Sequence, residues 1–206
     1  LTGSLMDVQE IRERLMPVFT GEGSFFFTAI PDYPTFLNYE KLLLETPQFF
    51  ALFWNSMRMT GAVLAGQLLV AVPAAFGFAV YKGSRLLFSL YTVLMLIPFQ
   101  VTMLSSYLVL TRLHLMNTQW AVILPAVFSA FPVFLCYGGF SAIPQAMLEA
   151  ARIDGAGEAG LFLRIGLPLG RGGICSALIL GFLECFNLIE QPMAFLDDKS
   201  LWPLSL

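Results

Sequence analysis

The sequence predicts an all-α, polytopic membrane protein. Of its 206 residues, 57% are hydrophobic and only 12% are charged, whereas soluble domains carry about 25% charged residues. The mean hydropathy is +0.75, and the apolar residues gather in four segments, each near the roughly 20 residues that cross a bilayer core as a helix. These observations exclude a soluble globular domain. The net charge of -3 gives no reason to expect nucleic acid as a partner.

The N-terminal segment, residues 1–48, differs in composition from the rest. It mixes charged residues with Gly, Pro and aromatic residues, which is typical of irregular structure, and only residues 7–15 indicate a short charged helix. We expect this segment to lie outside the cell, after a first span that is missing here, and residues 49–206 to form the transmembrane domain. The closing phrase LWPLSL resembles the start of another apolar segment, so a fragment of a longer chain is expected.

Four membrane spans are predicted, at residues 59–80, 86–110, 120–140 and 174–196. The first contains two pairs of small residues at a spacing of four, Gly61 with Ala65 and Ala62 with Gly66. Such pairs let a neighbouring helix approach closely. Pro98 lies inside the second span and should kink it, because its ring clashes with the preceding helical turn.

A charged interruption, EAARIDGAGEAGLFLRIGLPL at residues 149–169, separates the last two spans. Pro144 suits the first turn of a helix, and Gly155 should break that helix because a glycine bends there at little cost. A second helix should follow and end at Pro168. The first helix carries a small apolar ridge at helical spacing: Met147, Ala150 and Ala151. On pattern alone, an ordinary solvated loop remains the alternative.

This interruption resembles the signature loop of ABC importer permeases. The spacing in that family is Glu-Ala-Ala, three residues, Gly, nine residues, Ile, one residue and Leu-Pro, and this chain matches every fixed position. In the family, the loop forms a coupling helix that sits in a cleft of the ATPase subunit. The resemblance implies that loop 141–171 is cytoplasmic and that these residues couple to the ATPase: Glu149, Ala150, Ala151, Asp154, Gly155, Ile165, Leu167 and Pro168.

The resemblance extends over nearly the whole chain. The phrases PTFLNYEKLL, FWNSM, IPFQVTMLSSYLVLTRLHLMNTQWAVIL and FSAIPQAMLEAARIDGAG all look like the second permease of the maltose-type carbohydrate importers. This implies the type I permease fold, with four of six spans visible, in a multi-pass protein of the bacterial cell membrane. It also implies a second homologous permease, two ABC ATPase subunits, an extracellular solute-binding protein and a sugar or oligosaccharide as substrate.

Nucleotide binding is expected on another subunit. A P-loop requires a Lys directly after a Gly, and none of the three lysines, Lys41, Lys82 and Lys199, follows a Gly. We therefore predict a transporter subunit that is not itself an enzyme and has no cofactor of its own. ATP and Mg²⁺ would bind to the partner ATPase.

Polar residues inside the fourth predicted span require an explanation. Glu184, Asn187 and Gln191 are spaced i, i+3 and i+7, so they share one face of a continuous helix. Because ionisable side chains are costly in contact with lipid, this stripe either lines the translocation pathway or makes hydrogen bonds that hold the helices together. The chain departs from the family here, since Phe186 stands where Trp usually precedes the Asn.

The sidedness follows from Lys and Arg in short loops, which favour the cytoplasm. Turn 81–85 and loop 141–171 lie on the same side, because two predicted spans separate them. Together they contain Lys82, Arg85, Arg152, Arg164 and Arg171. The prediction is that Lys82 and Asp154 are cytoplasmic and that Glu22 and Asp198 are outside.

Two other classes of protein fit less well. A secondary transporter or channel for a small solute, the main alternative, would need its own coupling site, such as an acid–base relay or broken helices in paired halves. The sequence shows one cluster of carboxylates within an apolar segment and no paired halves. A membrane enzyme has no support, because there is one His, no H-E-x-x-H and no G-x-S-x-G.

The three cysteines fit no zinc pattern and are expected to be reduced and buried. The sequence leaves open whether the solute is a sugar or another compound such as glycerol phosphate.

Overall fold

The computed structural model describes residue 12 and residues 35–81 and 83–206. Over these residues the chain is helical, with turns but no strands, which confirms the predicted all-α class. Most of the predicted external segment lies outside the described residues, including Glu22 and, except for residue 12, the candidate helix 7–15. Lys82, in the turn after the first predicted span, also lies outside them. The chain divides into two compact units, residues 1–51 and 52–206.

The described part of the first unit begins with a short helical stretch. Helix α1 spans Leu37–Glu40 and continues without a break as a π-helix, Lys41–Glu45. The hydroxyl of Thr35 accepts the backbone N–H of Leu37 at 3.2 Å, which satisfies one of the N–H groups that a helix leaves unpaired at its start.

Helix α2 spans Pro47–Val80, so the prediction that the first span begins at residue 59 was wrong. Asn55 and Ser56 come before the predicted start of the span but lie inside this helix. Both residues are only 2% exposed, and both make hydrogen bonds to the C-terminal segment. Because their polar atoms are satisfied inside the protein, the helix continues through them.

The second predicted span is two helices. Helix α3 spans Ser84–Met95 and helix α4 spans Phe99–Arg112. Their axes are bent by 94° at the break between them. Pro98 is the residue that precedes α4 and has an extended backbone, so the predicted kink at this proline is confirmed.

The remaining helices follow with short connections. Three of them lie between α4 and the next long helix: α5 Gln119–Val127, α6 Ala130–Ser141 and α7 Gln145–Ile153. The pair α5 and α6 forms one span, Gln119–Ser141, close to the predicted 120–140. The chain then closes with α8 Glu158–Phe186, α9 Glu190–Phe195 and a 3₁₀ turn Lys199–Leu201.

Helix α8 corrects the prediction for the fourth span. It begins at Glu158 rather than 174 and ends at Phe186 rather than 196. Pro168 does not end a helix, because α8 runs through it. The turns just before this proline, Leu161–Gly166, are π-helical, and that wider register leaves room for a ring that would otherwise clash with the carbonyl four residues earlier.

Three described helices are long and apolar enough to cross a membrane, or four if the bent pair α3–α4 counts as one span. Contacts at the two ends of α2 favour four. The amide of Gln119 donates to Asn55 Oδ1 at 3.1 Å near the start of α2, whereas Tyr81, just after α2, contacts Glu158. The chain between Tyr81 and Gln119 therefore runs back along α2 from its C-terminal end to the level of Asn55. The helical rise from Asn55 to Val80 is about 38 Å.

Glycines bring the membrane helices into close contact. Gly139 of α6 and Gly173 of α8 meet backbone to backbone, and a Cβ added to either would lie 3.0 Å from the other's backbone. The predicted small pair Ala62 and Gly66 also faces a neighbour, since a Cβ on Gly66 would overlap the side chain of Val127. Gly61, by contrast, has nothing within 4 Å in the part of the chain that the structure describes.

The main apolar core lies at the end of the bundle where α7 joins α8. Phe76 of α2 is 5.5 Å from Phe140 and 5.2 Å from Phe162, measured between ring centroids. Leu148 and Leu161 are 1% and 0% exposed and belong to the same cluster.

The three cysteines differ in exposure, and the prediction that all are buried was wrong: Cys136 is buried, Cys185 is half-buried and Cys175 is exposed.

Candidate functional site

Helix α7 lies in the first half of loop 141–171, and one of its faces packs against the core. Pro144 lies at the position just before the helix rather than in its first turn. The side chain of Leu148 is 1% exposed and packs among the buried residues of the main core. Ala151 and Ala156 pack against the same cluster. One face of α7 is thereby fixed to the protein.

The opposite face of α7 is exposed and apolar. Met147 is 47% exposed, Ala150 is exposed, and Ile153 is 87% exposed. The predicted ridge was therefore wrong for Ala151, which is half-buried and faces the core. The ridge continues through Ile153 instead. Sequence reasoning missed this residue, although the i, i+3, i+6 spacing of Met147, Ala150 and Ile153 is the pattern of one helix face.

Gly155 ends α7 in a left-handed conformation, as predicted. Its φ is +85°, a value that costs other residues about 1–2 kcal/mol. The N–H of Gly155 donates to the carbonyl of Arg152 at 3.1 Å, and the N–H of Ala156 donates to the carbonyl of Ala151 at 2.9 Å. These bonds satisfy terminal carbonyls of the helix. A Cβ on Gly155 would meet nothing within 4 Å, so the demand for glycine comes from the backbone alone.

A polar bracket joins loop 141–171 to the turn after α2. The hydroxyl of Tyr81 donates to Glu158 Oε2 at 2.8 Å, and Arg152 Nε lies 3.4 Å from Glu158 Oε1. The hydrogen bond to Glu158 raises the pKa of Tyr81 above its ordinary value. The sequence offered no signal for a contact across 77 residues.

The other predicted coupling residues divide into exposed and packed groups. Glu149 and Asp154 are exposed beside the apolar face of α7. Ile165 and Leu167 are half-buried and pack against the main core, while Pro168 is exposed. Ile165 and Leu167 therefore hold the start of α8 in place, and the surface open to a partner is formed by α7 and the turn that follows it.

A second feature, the cleft, is an open cavity of about 830 Å³ between the helices. Most of its lining is apolar, but several side chains present hydroxyl, amide or carboxylate groups. The polar side chains that line it are Gln67, Tyr91, Thr102, Ser106, Ser129, Glu184 and Gln191. Mixed apolar and convergent polar linings of this volume are typical of small-molecule sites.

The predicted polar stripe is only partly brought together. Glu184 and Gln191 both line the cleft, but α8 ends at Phe186, so the three residues do not share one helix face. Asn187 caps the end of α8 and is not among the lining residues. Its amide donates to the carbonyl of Leu183 at 2.7 Å, as expected for a residue that satisfies a helix C-terminus.

Gln67 is a cleft residue that the sequence analysis did not identify. It is 7% exposed and lies on α2. Its amide donates to the carbonyl of Ala126 at 3.0 Å, next to the break between α5 and α6. Gln191 also lines the cleft, and its Oε1 atom is buried and accepts no hydrogen bond from the described residues.

Comparisons with known proteins agree with this architecture. Residues 67–189 match the family described as binding-protein-dependent transport system inner membrane component. The arabinooligosaccharides transport system permease protein AraQ of Halalkalibacterium halodurans is 30% identical over 85% of this chain and 64% of its own length. The lactose transport system permease protein LacG of Rhizobium radiobacter is 30% identical over 75% of this chain and 57% of its own length.

A solved structure supports the same fold. It is a chain of a bacterial ABC transporter involved in the import of the acidic polysaccharide alginate, with a TM-score of 0.80 and 20% identity. The match covers 98% of this chain and 68% of that one, while this chain spans less than two thirds of the two curated relatives described above. The match to the family over residues 67–189, more than half of the chain, establishes that this protein belongs to the inner membrane components of binding-protein-dependent transport systems.

Proposed function

We propose that this chain is a permease subunit of an ATP-driven importer for sugars or oligosaccharides. Support comes from its family, whose members are inner membrane components of binding-protein-dependent transport, and from relatives named for arabinooligosaccharides and lactose. In this proposal an extracellular solute-binding protein delivers the solute. A second homologous permease completes the pathway, and the cleft is this chain's part of it.

The observation that carries the coupling role is the exposed apolar face of α7. Met147 and Ile153 are large apolar residues at 47% and 87% exposure, and they lie on a short helix outside the long apolar spans. Leu148 fixes the opposite face of the helix to the core. A rigidly held apolar face is suited to a partner protein, because burying it in a cleft removes apolar surface from water.

The partner on this face is an ATPase subunit that binds ATP and Mg²⁺. Glu149 and Asp154 flank the face and offer carboxylates to basic groups of that partner. Movements of the ATPase would reach the membrane helices by two routes. One is the Leu148 anchor in the main core, and the other is the bracket from Glu158 to Tyr81 at the end of α2.

Two pairs of variants on α7 test the proposal in the assembled complex. Ala150→Trp and Ile153→Glu should lower ATPase recruitment, solute-stimulated ATP hydrolysis and uptake into proteoliposomes. The controls at the same positions, Ala150→Ser and Ile153→Met, should retain all three activities because they keep the size or the apolar character of the face. Full recruitment and stimulated hydrolysis by both bulky or charged variants would show that α7 is not the coupling element. Uptake without ATP would favour a secondary transporter or channel instead.

A further inference from the structure

We infer that the cleft accepts uncharged, hydroxyl-rich solutes and rejects anionic ones, and that the Glu184 carboxylate is this chain's selectivity group. The inference rests on the proposed function, and it narrows the substrate to neutral saccharides. It separates these from the acidic sugars and phosphorylated polyols that related import systems could carry.

The first argument is the charge of the lining. Among the described residues that line the cleft, none is Lys, Arg or His, and Glu184 is the one ionisable acid. Sites for phosphate or carboxylate groups use Arg, Lys or clustered backbone N–H groups to balance the charge. An anion entering this cleft would instead approach a carboxylate in a partly apolar environment, where like charges repel more strongly than in water.

The second argument is the chemistry that remains available to a neutral solute. Glu184, Ser106 and Ser129 line the cleft, and a sugar hydroxyl can donate to the carboxylate of the first and exchange hydrogen bonds with the hydroxyl groups of the other two. The ring of Tyr91 lines the same space and adds an apolar surface for the carbon face of a sugar ring.

A third observation concerns the neighbouring acid. Glu190 begins α9 and accepts the amide of Gln100 at 3.1 and 3.2 Å, and Glu190 is not part of the lining. Glu184 therefore differs from Glu190 in facing the cleft, and it is the residue whose substitution should change selectivity.

The test uses solute protection of a thiol in the complex of this chain with its partner permease and ATPase, without the solute-binding protein. Leu180→Cys places a reporter in the lining, in a background where Cys136, Cys175 and Cys185 are replaced by Ala. The neutral probes are arabinotriose, maltotriose and 1,4-linked galactotriose. The anionic probes are glycerol 3-phosphate and trigalacturonate, which differs from galactotriose in carrying a carboxylate at C6.

At least one neutral trisaccharide should slow maleimide labelling at position 180, and the anionic probes should not. Glu184→Gln should lower, by at least about tenfold, the ratio of the half-protecting concentration of trigalacturonate to that of the neutral probe, because the like charge that repels the carboxylates is removed. The half-protecting concentration of the neutral probe itself should change by less than about threefold. Glu190→Gln and Asn187→Ala change residues outside the lining and should leave the ratio of the two half-protecting concentrations unchanged.

Equal protection by trigalacturonate and galactotriose in the parent, or no change of the ratio in Glu184→Gln, would overturn the inference. Absence of protection by every neutral probe would also overturn it. The proposed function is judged separately, from ATP hydrolysis by the same complex stimulated by the loaded solute-binding protein. Stimulated hydrolysis without protection would reject the cleft as the solute site and leave the importer function in place.

Discussion

The side-chain amide of Asn55 donates a hydrogen bond of 2.7 Å to the backbone carbonyl of Ser200, 145 residues later in the sequence. The same amide donates to the carbonyl of Trp202 at 3.1 Å. Its oxygen accepts from Arg58 at 2.7 Å and from Gln119 at 3.1 Å. One buried side chain thus joins α2, the start of α5 and the C-terminal segment.

Replacing Asn55 should therefore destabilise the bundle. Asn55→Asp keeps the oxygen that accepts from Arg58 and Gln119. It replaces the NH₂ group that donates to the two backbone carbonyls by a second oxygen, and it places a carboxylate at a site that is 2% exposed. Each buried group left without a partner costs about 1–3 kcal/mol, so we expect a clear fall in the melting temperature of the purified protein in detergent. Asn187→Asp is the matched control, because that side chain is exposed. Equal melting temperatures for the two variants would contradict a stabilising role for Asn55.

The polar residues near Asn55 show what the sequence could and could not predict. Apolar segment length predicted the existence of the spans, since it depends only on local composition. It did not predict where α2 begins, because the cost of burying Asn55 depends on residues 200 and 202, which are distant in sequence. In the same way, the motif located Gly155 correctly, whereas the side of α7 that Ala151 faces is decided by packing against the core.

The helix crossing at Gly139 and Gly173 should not tolerate a methyl group. A Cβ on Gly173 would lie 3.0 Å from the Cα and N atoms of Gly139 and 3.0 Å from the carbonyl oxygen of Leu135. Because all three are backbone atoms, the helices must separate, and overpacking of this kind costs about 1–3 kcal/mol. Gly173→Ala should lower the melting temperature. Gly172→Ala, one residue away with nothing within 4 Å, should leave it unchanged or raise it slightly.

The bracket between Tyr81 and Glu158 should control the mobility of loop 141–171. Both groups are largely exposed, so Tyr81→Phe should leave the melting temperature unchanged. It should increase hydrogen exchange of the backbone amides at residues 154–160, because Glu158 loses its link to the end of α2. Glu158→Gln keeps an acceptor for Tyr81 and should show a smaller increase. Identical exchange in the parent and Tyr81→Phe would mean that the bracket does not restrain the loop.

Single-cysteine labelling tests the sidedness of the chain. The bracket places Tyr81 and loop 141–171 at one end of the bundle, and the Asn55 contacts place residues 198–202 at the other. In a background without the native cysteines, Asp198→Cys should react with an impermeant maleimide in intact cells, and Asp154→Cys only after permeabilisation. The predictions that Lys82 is cytoplasmic and Glu22 is outside can be checked in the same way. Labelling of position 154 in intact cells would reverse the orientation.

At Gly155, the effect of backbone conformation can be tested separately from the effect of side-chain size. Its φ is +85°, yet a Cβ there would meet nothing within 4 Å. Gly155→Val should therefore misplace the turn between α7 and α8, because a β-branched residue strongly disfavours this conformation. Gly155→Asn should behave almost like the parent, since Asn adopts the left-handed region more readily than other residues.

The measurements for Gly155 are ATPase pull-down and solute-stimulated hydrolysis in proteoliposomes, with solute binding to the isolated binding protein as an unaffected reference. We expect Gly155→Val to lose recruitment and stimulation together and Gly155→Asn to retain most of both. Ala151→Trp would be less informative, because Ala151 packs against the chain's own core, so a loss of recruitment would not separate folding from docking. If the valine and asparagine variants were equally impaired, contact with the glycine surface, rather than its left-handed backbone, would explain the requirement at this position.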